Sequence, residues 1–229
     1  MKIYGYQKTT LLDYPGHVAA TIFTPGCNFR CPFCHNSELI LSSDSSAFIS
    51  TEEILSFLYK RKNLLSGLCI TGGEPTLQPG LSAFIKEVRA LGYKIKLDTN
   101  GYQPQVLTAL LQDKLLDYIA MDIKAGFTNY SSACGIADID IQKIKDSISI
   151  LETSGITYEF RTTVVKELHS KKDFYEIRHL LSPTSPYYLQ SFCNTPNILS
   201  PGLSACDKTT LTAYQSILCE KLLHVTLRT

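Results

Sequence analysis

Short apolar runs alternate with amphipathic stretches along most of the chain, and this alternation narrows the possible folds more than any other feature. Residues 18–23, 68–71, 94–98, 118–122, 156–165 and 187–191 read as strands. Between them, apolar side chains recur every three or four positions, as in Leu81, Phe84, Ile85, Val88 and Leu91, or Ile141, Ile144, Ile148 and Leu151. Ser50 with Glu53 marks a helix start, and Gly92 and Gly155 mark helix ends. A last helix carries Leu211, Tyr214, Ile217, Leu218 and Leu222. Parallel strands need crossovers, and helices supply them. The pattern predicts an α/β fold, a partial (βα)6 barrel built as a single domain over 1–229. Residues 1–16 would form an N-terminal arm, 17–191 the barrel, and 192–229 a C-terminal loop and helix.

Composition excludes several classes of function. An apolar fraction of 44% can fill a core of that kind, and a charged fraction of 19% is too low for a disordered chain. With 22 Lys and Arg against 21 Asp and Glu, the chain lacks the basic footprint of a nucleic-acid binder. No run of about 18 apolar residues predicts a membrane span, and residues 1–16 contain no signal-peptide core, so the expected location is the cytoplasm. In that reducing compartment, eight cysteines point to metal ligands or catalytic thiols rather than disulfides.

Parallel α/β sheets place functional groups at the carboxyl ends of their strands. A cysteine loop follows the first expected strand, Gly72-Gly73-Glu74-Pro75 the second, Asp98-Thr99-Asn100-Gly101 the third, and Asp122, Ile123 and Lys124 the fourth. Cys27, Cys31 and Cys34 form C-x3-C-x2-C, which lets one short loop grip three corners of an iron–sulfur cluster and leaves the fourth iron open. Other readings of the loop are a structural zinc site using His35, a c-type haem attachment at Cys31-Pro32-Phe33-Cys34-His35, or plain buried thiols. The Asp98 turn could simply end a strand, and Asp122 with Lys124 could be a surface ion pair.

Taken together, the cysteine loop, the GGEP stretch and the strand and helix order resemble the radical S-adenosylmethionine superfamily. The resemblance implies a [4Fe–4S] cluster on Cys27, Cys31 and Cys34, with S-adenosylmethionine chelating the open iron. Phe33 and the backbone near His35 would lie beside the adenine, and Gly72, Gly73 and Glu74 beside the methionyl amino group. The order of the later motifs is similar to that of glycyl-radical-enzyme activating enzymes. That likeness implies a monovalent cation held by Asp98, Thr99, Asp122 and the backbone of Ile123, with Asp98, Asn100, Lys124 and Arg161 contacting the cofactor. Asp13, in the turn Asp13-Tyr14-Pro15-Gly16, would face the partner.

The short connection between the cysteine loop and GGEP leaves no room for a ferredoxin-like insertion. With the Asp13 turn and Cys34-His35-Asn36, this most resembles the activating proteins of anaerobic ribonucleoside-triphosphate reductases. The implied partners are a large glycyl-radical enzyme and a one-electron donor such as flavodoxin or ferredoxin, with no nucleic acid and no membrane. The alternatives are a radical enzyme acting on a small molecule, like the 7-carboxy-7-deazaguanine synthases, and a non-catalytic metal-binding scaffold. Cys69, Cys134, Cys206 and Cys219 read most simply as core or loop thiols; the other reading is an auxiliary cluster on Cys134, Cys193 and Cys206, whose spacing matches no common motif.

Overall fold

All six expected strands form, and two further ones flank them. The computed structural model describes residues 1–41 and 48–228. The strands are β1 (Gly5–Thr10), β2 (Ala19–Thr24), β3 (Gly67–Gly72), β4 (Lys94–Thr99), β5 (Tyr118–Asp122), β6 (Thr157–Val164), β7 (Tyr187–Ser191) and β8 (Val225–Arg228). They make one eight-stranded sheet in the order β1 to β8. β1 runs antiparallel to β2, whereas β2–β3, β3–β4, β6–β7 and β7–β8 are parallel. The sequence pattern missed β1 and β8 because they are edge strands. β1 exposes Gln7, Lys8 and Thr9, and β8 is only four residues long, so neither carries the continuous apolar run of a buried parallel strand.

The helices are α1 (Ser37–Leu41), α2 (Thr51–Arg61), α3 (Leu81–Ala90), α4 (Pro104–Gln112), α5 (Tyr130–Cys134), α6 (Ile141–Thr153), α7 (Lys171–Leu180) and α8 (Lys208–Cys219). α1 and α5 are the two that periodicity did not show, being five residues each and too short to display a repeat. The chain forms two compact units. One comprises Met1–Asn28, Glu38–Thr99 and Gln105–Ala120, the other Phe29–Ser37, Asn100–Pro104 and Met121–Thr229.

In the first unit, Ser50 caps α2 by accepting a hydrogen bond from the Glu53 amide at 3.1 Å. α3 buries Leu81, Phe84, Ile85 and Val88, each contributing roughly 1.5–3 kcal/mol. Asp117, just before β5, accepts from Arg89 at 2.6 Å, Lys94 at 2.9 Å and the Ile95 amide at 2.9 Å, tying α3 and β4 to the start of β5. Burial acts to raise its carboxyl, but these three donors prevail and hold it below the ordinary aspartate value.

In the second unit, α6 buries Ile144, Ile148 and Leu151, and Phe174 of α7 stacks on Tyr214 of α8 at 4.3 Å. Ser170 and Asp173 close a capping box at the start of α7. Among the described residues no helix is long and apolar enough to cross a membrane.

Candidate functional site

Within the first unit, the tail of β2 and the loop after β3 are locked together through their backbones. The Gly73 amide donates to Thr24 O at 2.8 Å and the Glu74 amide to Gly26 O at 2.8 Å, while the Gly26 amide donates to Leu39 O at 2.7 Å. A Cβ on Gly73 would lie 1.9 Å from Gly26 O, and one on Gly72, where φ is +124°, 2.2 Å from the Thr24 amide nitrogen. Both glycines are therefore required by the strand tail that leads into Cys27. Sequence reasoning assigned them to ligand approach alone and missed this contact.

Glu74 is almost wholly buried, and one of its carboxylate oxygens accepts from the Thr76 amide at 3.1 Å, the Thr76 hydroxyl at 2.6 Å and the Thr99 hydroxyl at 2.8 Å. It joins the end of β3 to the end of β4. Asp98 pairs with Lys96, a buried lysine with a side chain only 2% exposed. Asp13 accepts from the Thr21 hydroxyl at 2.5 Å, and Leu11 and Leu12 just before the turn are large exposed apolar residues. The Asp13 carboxylate thus braces the turn against β2.

The second unit holds the rest of the cysteine loop. Phe29 is buried beside Tyr102 and Tyr130, with ring centroids 5.4 and 6.5 Å away. The Arg30 amide donates to Cys134 O at 2.8 Å, and Gly135 ends α5 at φ +69°, where a Cβ would meet Arg30 O at 2.2 Å. The Cys34 amide closes a turn on Cys31 O at 3.0 Å.

A strap after β7 braces the same loop. The Ser200 amide donates to Pro32 O at 2.9 Å, Ser37 donates to Asn197 O, and His35 Nε2 lies 2.6 Å from Cys193 O with its ring stacked on Phe192. Cys31 is buried, Cys27 and Cys34 are partly exposed, and none of the eight cysteines, all described, is in a disulfide. Burial raises the Cys34 thiol, and the Asn36 backbone, Lys124 and Arg30 oppose that rise without cancelling it.

Asp122 ends β5 between two cations, accepting from Arg161 Nε at 2.8 Å and Lys124 Nζ at 3.0 Å. Burial acts to raise its carboxyl, but Arg161 and then Lys124 outweigh it and hold it well below the usual carboxylate range. Burial acts to lower the Lys124 ammonium, but the Asp122 carboxylate outweighs it and keeps it above the ordinary lysine value. Ile123 is fully buried; its amide donates to Arg161 O at 2.8 Å and its carbonyl accepts from the Thr162 hydroxyl at 2.6 Å. Asn100 Oδ1 accepts from the Tyr102 amide at 3.0 Å, shaping the turn after β4.

Sequence reasoning did not find His169. Its Nδ1 accepts from the Val165 amide at 3.0 Å, which leaves Nε2 to donate to Lys124 O at 2.8 Å, and its ring meets the buried Phe33 edge-on at 6.3 Å. No motif surrounds His169 in the chain, so only the fold reveals its link to both the cysteine loop and Lys124.

In residue type and spacing the cysteine loop suits an iron–sulfur cluster, with three thiols within eight residues, although among the described residues no three His, Cys, Asp or Glu side chains are gathered closely enough to hold a single metal ion. The strand-end donors suit a monovalent cation poorly. Asp98 and Asp122 are already paired with ammonium and guanidinium groups, the Thr99 hydroxyl donates to Glu74, and the Ile123 carbonyl is bonded to Thr162.

Residues 21–181 match the Radical SAM superfamily model. A protein of Methanocaldococcus jannaschii provisionally named a glycyl-radical enzyme activating enzyme is 31% identical over 198 residues, covering 83% of this chain and 79% of its own length. The pyruvate formate-lyase-activating enzyme of Clostridium pasteurianum is 26% identical over 178 residues, covering 75% of this chain and 72% of its own. Among solved structures, Streptococcus suis SuiB bound to precursor peptide SuiA aligns with a TM-score of 0.71 at 12% identity, covering 91% of this chain and 48% of that one. TYW1 with a lysine-pyruvate adduct bound aligns with a TM-score of 0.63 at 15% identity, over 89% of this chain and 74% of that one.

The chain belongs to the radical S-adenosylmethionine superfamily. It is a radical enzyme, and membership implies a [4Fe–4S] cluster and S-adenosylmethionine as its cofactors.

Proposed function

We propose that this protein is an activase that generates a glycyl radical on a large partner enzyme, an anaerobic ribonucleoside-triphosphate reductase. The observation that carries the activase reading is the 31% identity, over 83% of this chain, with a relative named for activating glycyl-radical enzymes. The choice of reductase rests on the Asp13 turn, on Cys34-His35-Asn36 and on the short path from the cysteine loop to β3.

In this reading Cys27, Cys31 and Cys34 hold the cluster. When bound, and with one electron from an external donor, the cluster and S-adenosylmethionine would supply reductive cleavage of the sulfonium and so the radical chemistry that removes a hydrogen atom from a glycine α-carbon. The chain's own residues hold and orient. Gly73 and the Glu74 backbone set the position of Gly26 and so of Cys27. Lys124 and Arg161 present positive charge suited to the cofactor carboxylate, and Asp122 fixes both cations in place. Phe33 and His35 keep the far half of the loop rigid. Asn100 shapes its own turn, and the Asp13 turn offers Leu11 and Leu12 to the partner.

The test is anaerobic reconstitution with a candidate reductase, S-adenosylmethionine and a one-electron donor, read by electron paramagnetic resonance. A glycyl radical on the reductase is the expected result. Production of 5′-deoxyadenosine with no radical on any glycyl-radical enzyme would overturn the activase reading in favour of a small-molecule substrate.

A further inference from the structure

Lys96 is an unusual residue for the middle of a parallel strand. Its flanking residues in β4, Ile95 and Leu97, are fully buried, and alternation places Lys96 and Asp98 together on the opposite face. The register sets Thr21 of β2, Cys69 of β3 and Lys96 in one row across the sheet. The ammonium lies 3.8 Å from Cys69 Sγ and 5.9 Å from the centre of the Tyr118 ring, and it pairs with Asp98. A buried ammonium is tolerated only with a partner of opposite charge, and Asp98 is that partner.

Asp98 and Thr99 are two of the residues that the family resemblance assigns to a monovalent metal ion. Here the Thr99 hydroxyl donates to Glu74, and the Asp98 carboxylate is met by a cation of the chain itself. An ε-ammonium is a compact point charge with three donors, equal in charge to K⁺ or Na⁺. Because it is tethered, it is present at every salt concentration, and it repels a second cation from the same carboxylate. Without a cation beside it, the Asp98 carboxylate would repel the carboxylate of S-adenosylmethionine at this strand end.

We propose that Lys96 takes the place of the monovalent metal ion at the Asp98 end of β4, so that S-adenosylmethionine binding by this protein does not depend on K⁺ or Na⁺. The inference rests on the likeness to glycyl-radical-enzyme activating enzymes, from which the ion site is taken, and on Lys96, but not on which enzyme is the partner. Lys96 acts here as a positioning residue through Asp98. The rival account is a purely structural ion pair, and the two differ in how an added cation acts.

The experiment compares cluster-loaded wild-type protein and Lys96→Met in buffers whose sole monovalent cation is tetramethylammonium, potassium or sodium. The dissociation constant for S-adenosylmethionine is read first. Formation of 5′-deoxyadenosine follows, with photoreduced deazaflavin as reductant so that no sodium enters. Wild type should change by less than about twofold between buffers, while Lys96→Met should bind about tenfold more weakly in tetramethylammonium and regain most of that in potassium. Stronger wild-type binding by tenfold or more on adding K⁺ or Na⁺ would overturn the proposal. So would a Lys96→Met protein equal to wild type in every buffer, or one whose loss no cation restores. If Lys96→Met does not fold, Lys96→Ala leaves room that K⁺ or methylammonium can refill, and restored binding is again the expected result. Failure of that rescue would refute the idea. No partner enzyme enters any of these measurements, so their failure can be told apart from a failure to form a glycyl radical on the partner.

Discussion

Replacing Gly73 by Ala tests whether the loop after β3 sets the position of Cys27, the first of the three cysteines proposed to hold the cluster. The added Cβ would stand 1.9 Å from Gly26 O and 2.6 Å from Gly26 C, whereas ordinary contact begins near 3.4 Å. The carbonyl would have to retreat by about 1.5 Å, against the roughly 0.5 Å within which functional groups must be held. Gly26 immediately precedes Cys27, so the ligand moves with it. The retreat also strains the 2.8 Å bond from the Glu74 amide and the 2.7 Å bond to Leu39 O. Overpacking costs about 1–3 kcal/mol and one lost hydrogen bond about 1 kcal/mol, so a destabilisation of about 2–4 kcal/mol is expected.

Iron and sulfide content after anaerobic reconstitution, S-adenosylmethionine affinity and thermal unfolding measure the outcome. Gly5→Ala is the control, because nothing lies within 4 Å of its added Cβ, and it should stay within about 0.5 kcal/mol of wild type. If Gly73→Ala takes up a full cluster, binds the cofactor as wild type does and melts with the control, the argument from backbone contact is refuted.

Ala at Cys27, Cys31 or Cys34 should each abolish stable iron incorporation, while Ala at the exposed Cys193 or Cys219 should not; full iron in any of the first three would remove that residue from the ligand set. Arg161→Met should strongly destabilise the fold by leaving Asp122 with one cation fewer, and adding Asp122→Asn should restore stability but not S-adenosylmethionine affinity, as calorimetry can show. Asp117→Asn should cost about 2 kcal/mol at pH 7 by denaturant unfolding. The folded Asp117 carboxyl is held below its ordinary value of about 3.9, so its contribution is present above that pH and fades as pH falls through the folded value. The gap between variant and wild type should therefore close below about pH 4, and a gap constant down to pH 3 would contradict the assignment.

Periodicity alone located the strands and the long helices because each is an apolar pattern repeated locally. Edge strands β1 and β8 escaped it, having one or both faces in solvent, and α1 and α5 were too short for a repeat. The loops that carry chemistry were legible as residue types: three cysteines at fixed spacing, a Gly-Gly pair at a strand end, and Asp, Lys and Arg at later strand ends. What those residues touch was not legible. The two glycines make room for Thr24 and Gly26, Asp13 is bonded to Thr21, and Asp98 and Asp122 face the chain's own cations.

By itself, then, the sequence determined the α/β architecture, the membership of the radical S-adenosylmethionine superfamily and the cysteine loop, since all three reside in spacing along the chain. Only the tertiary structure decided that His169 ties Phe33 to Lys124, that the strap after β7 braces Pro32, His35 and Ser37, and that Lys96 neutralises Asp98. The first two join residues far apart in the chain, and the third depends on burial. Lys96 and Asp98 are neighbours in any alternating strand, but only a covered sheet face turns their pairing from a solvated contact into a charge the site must keep.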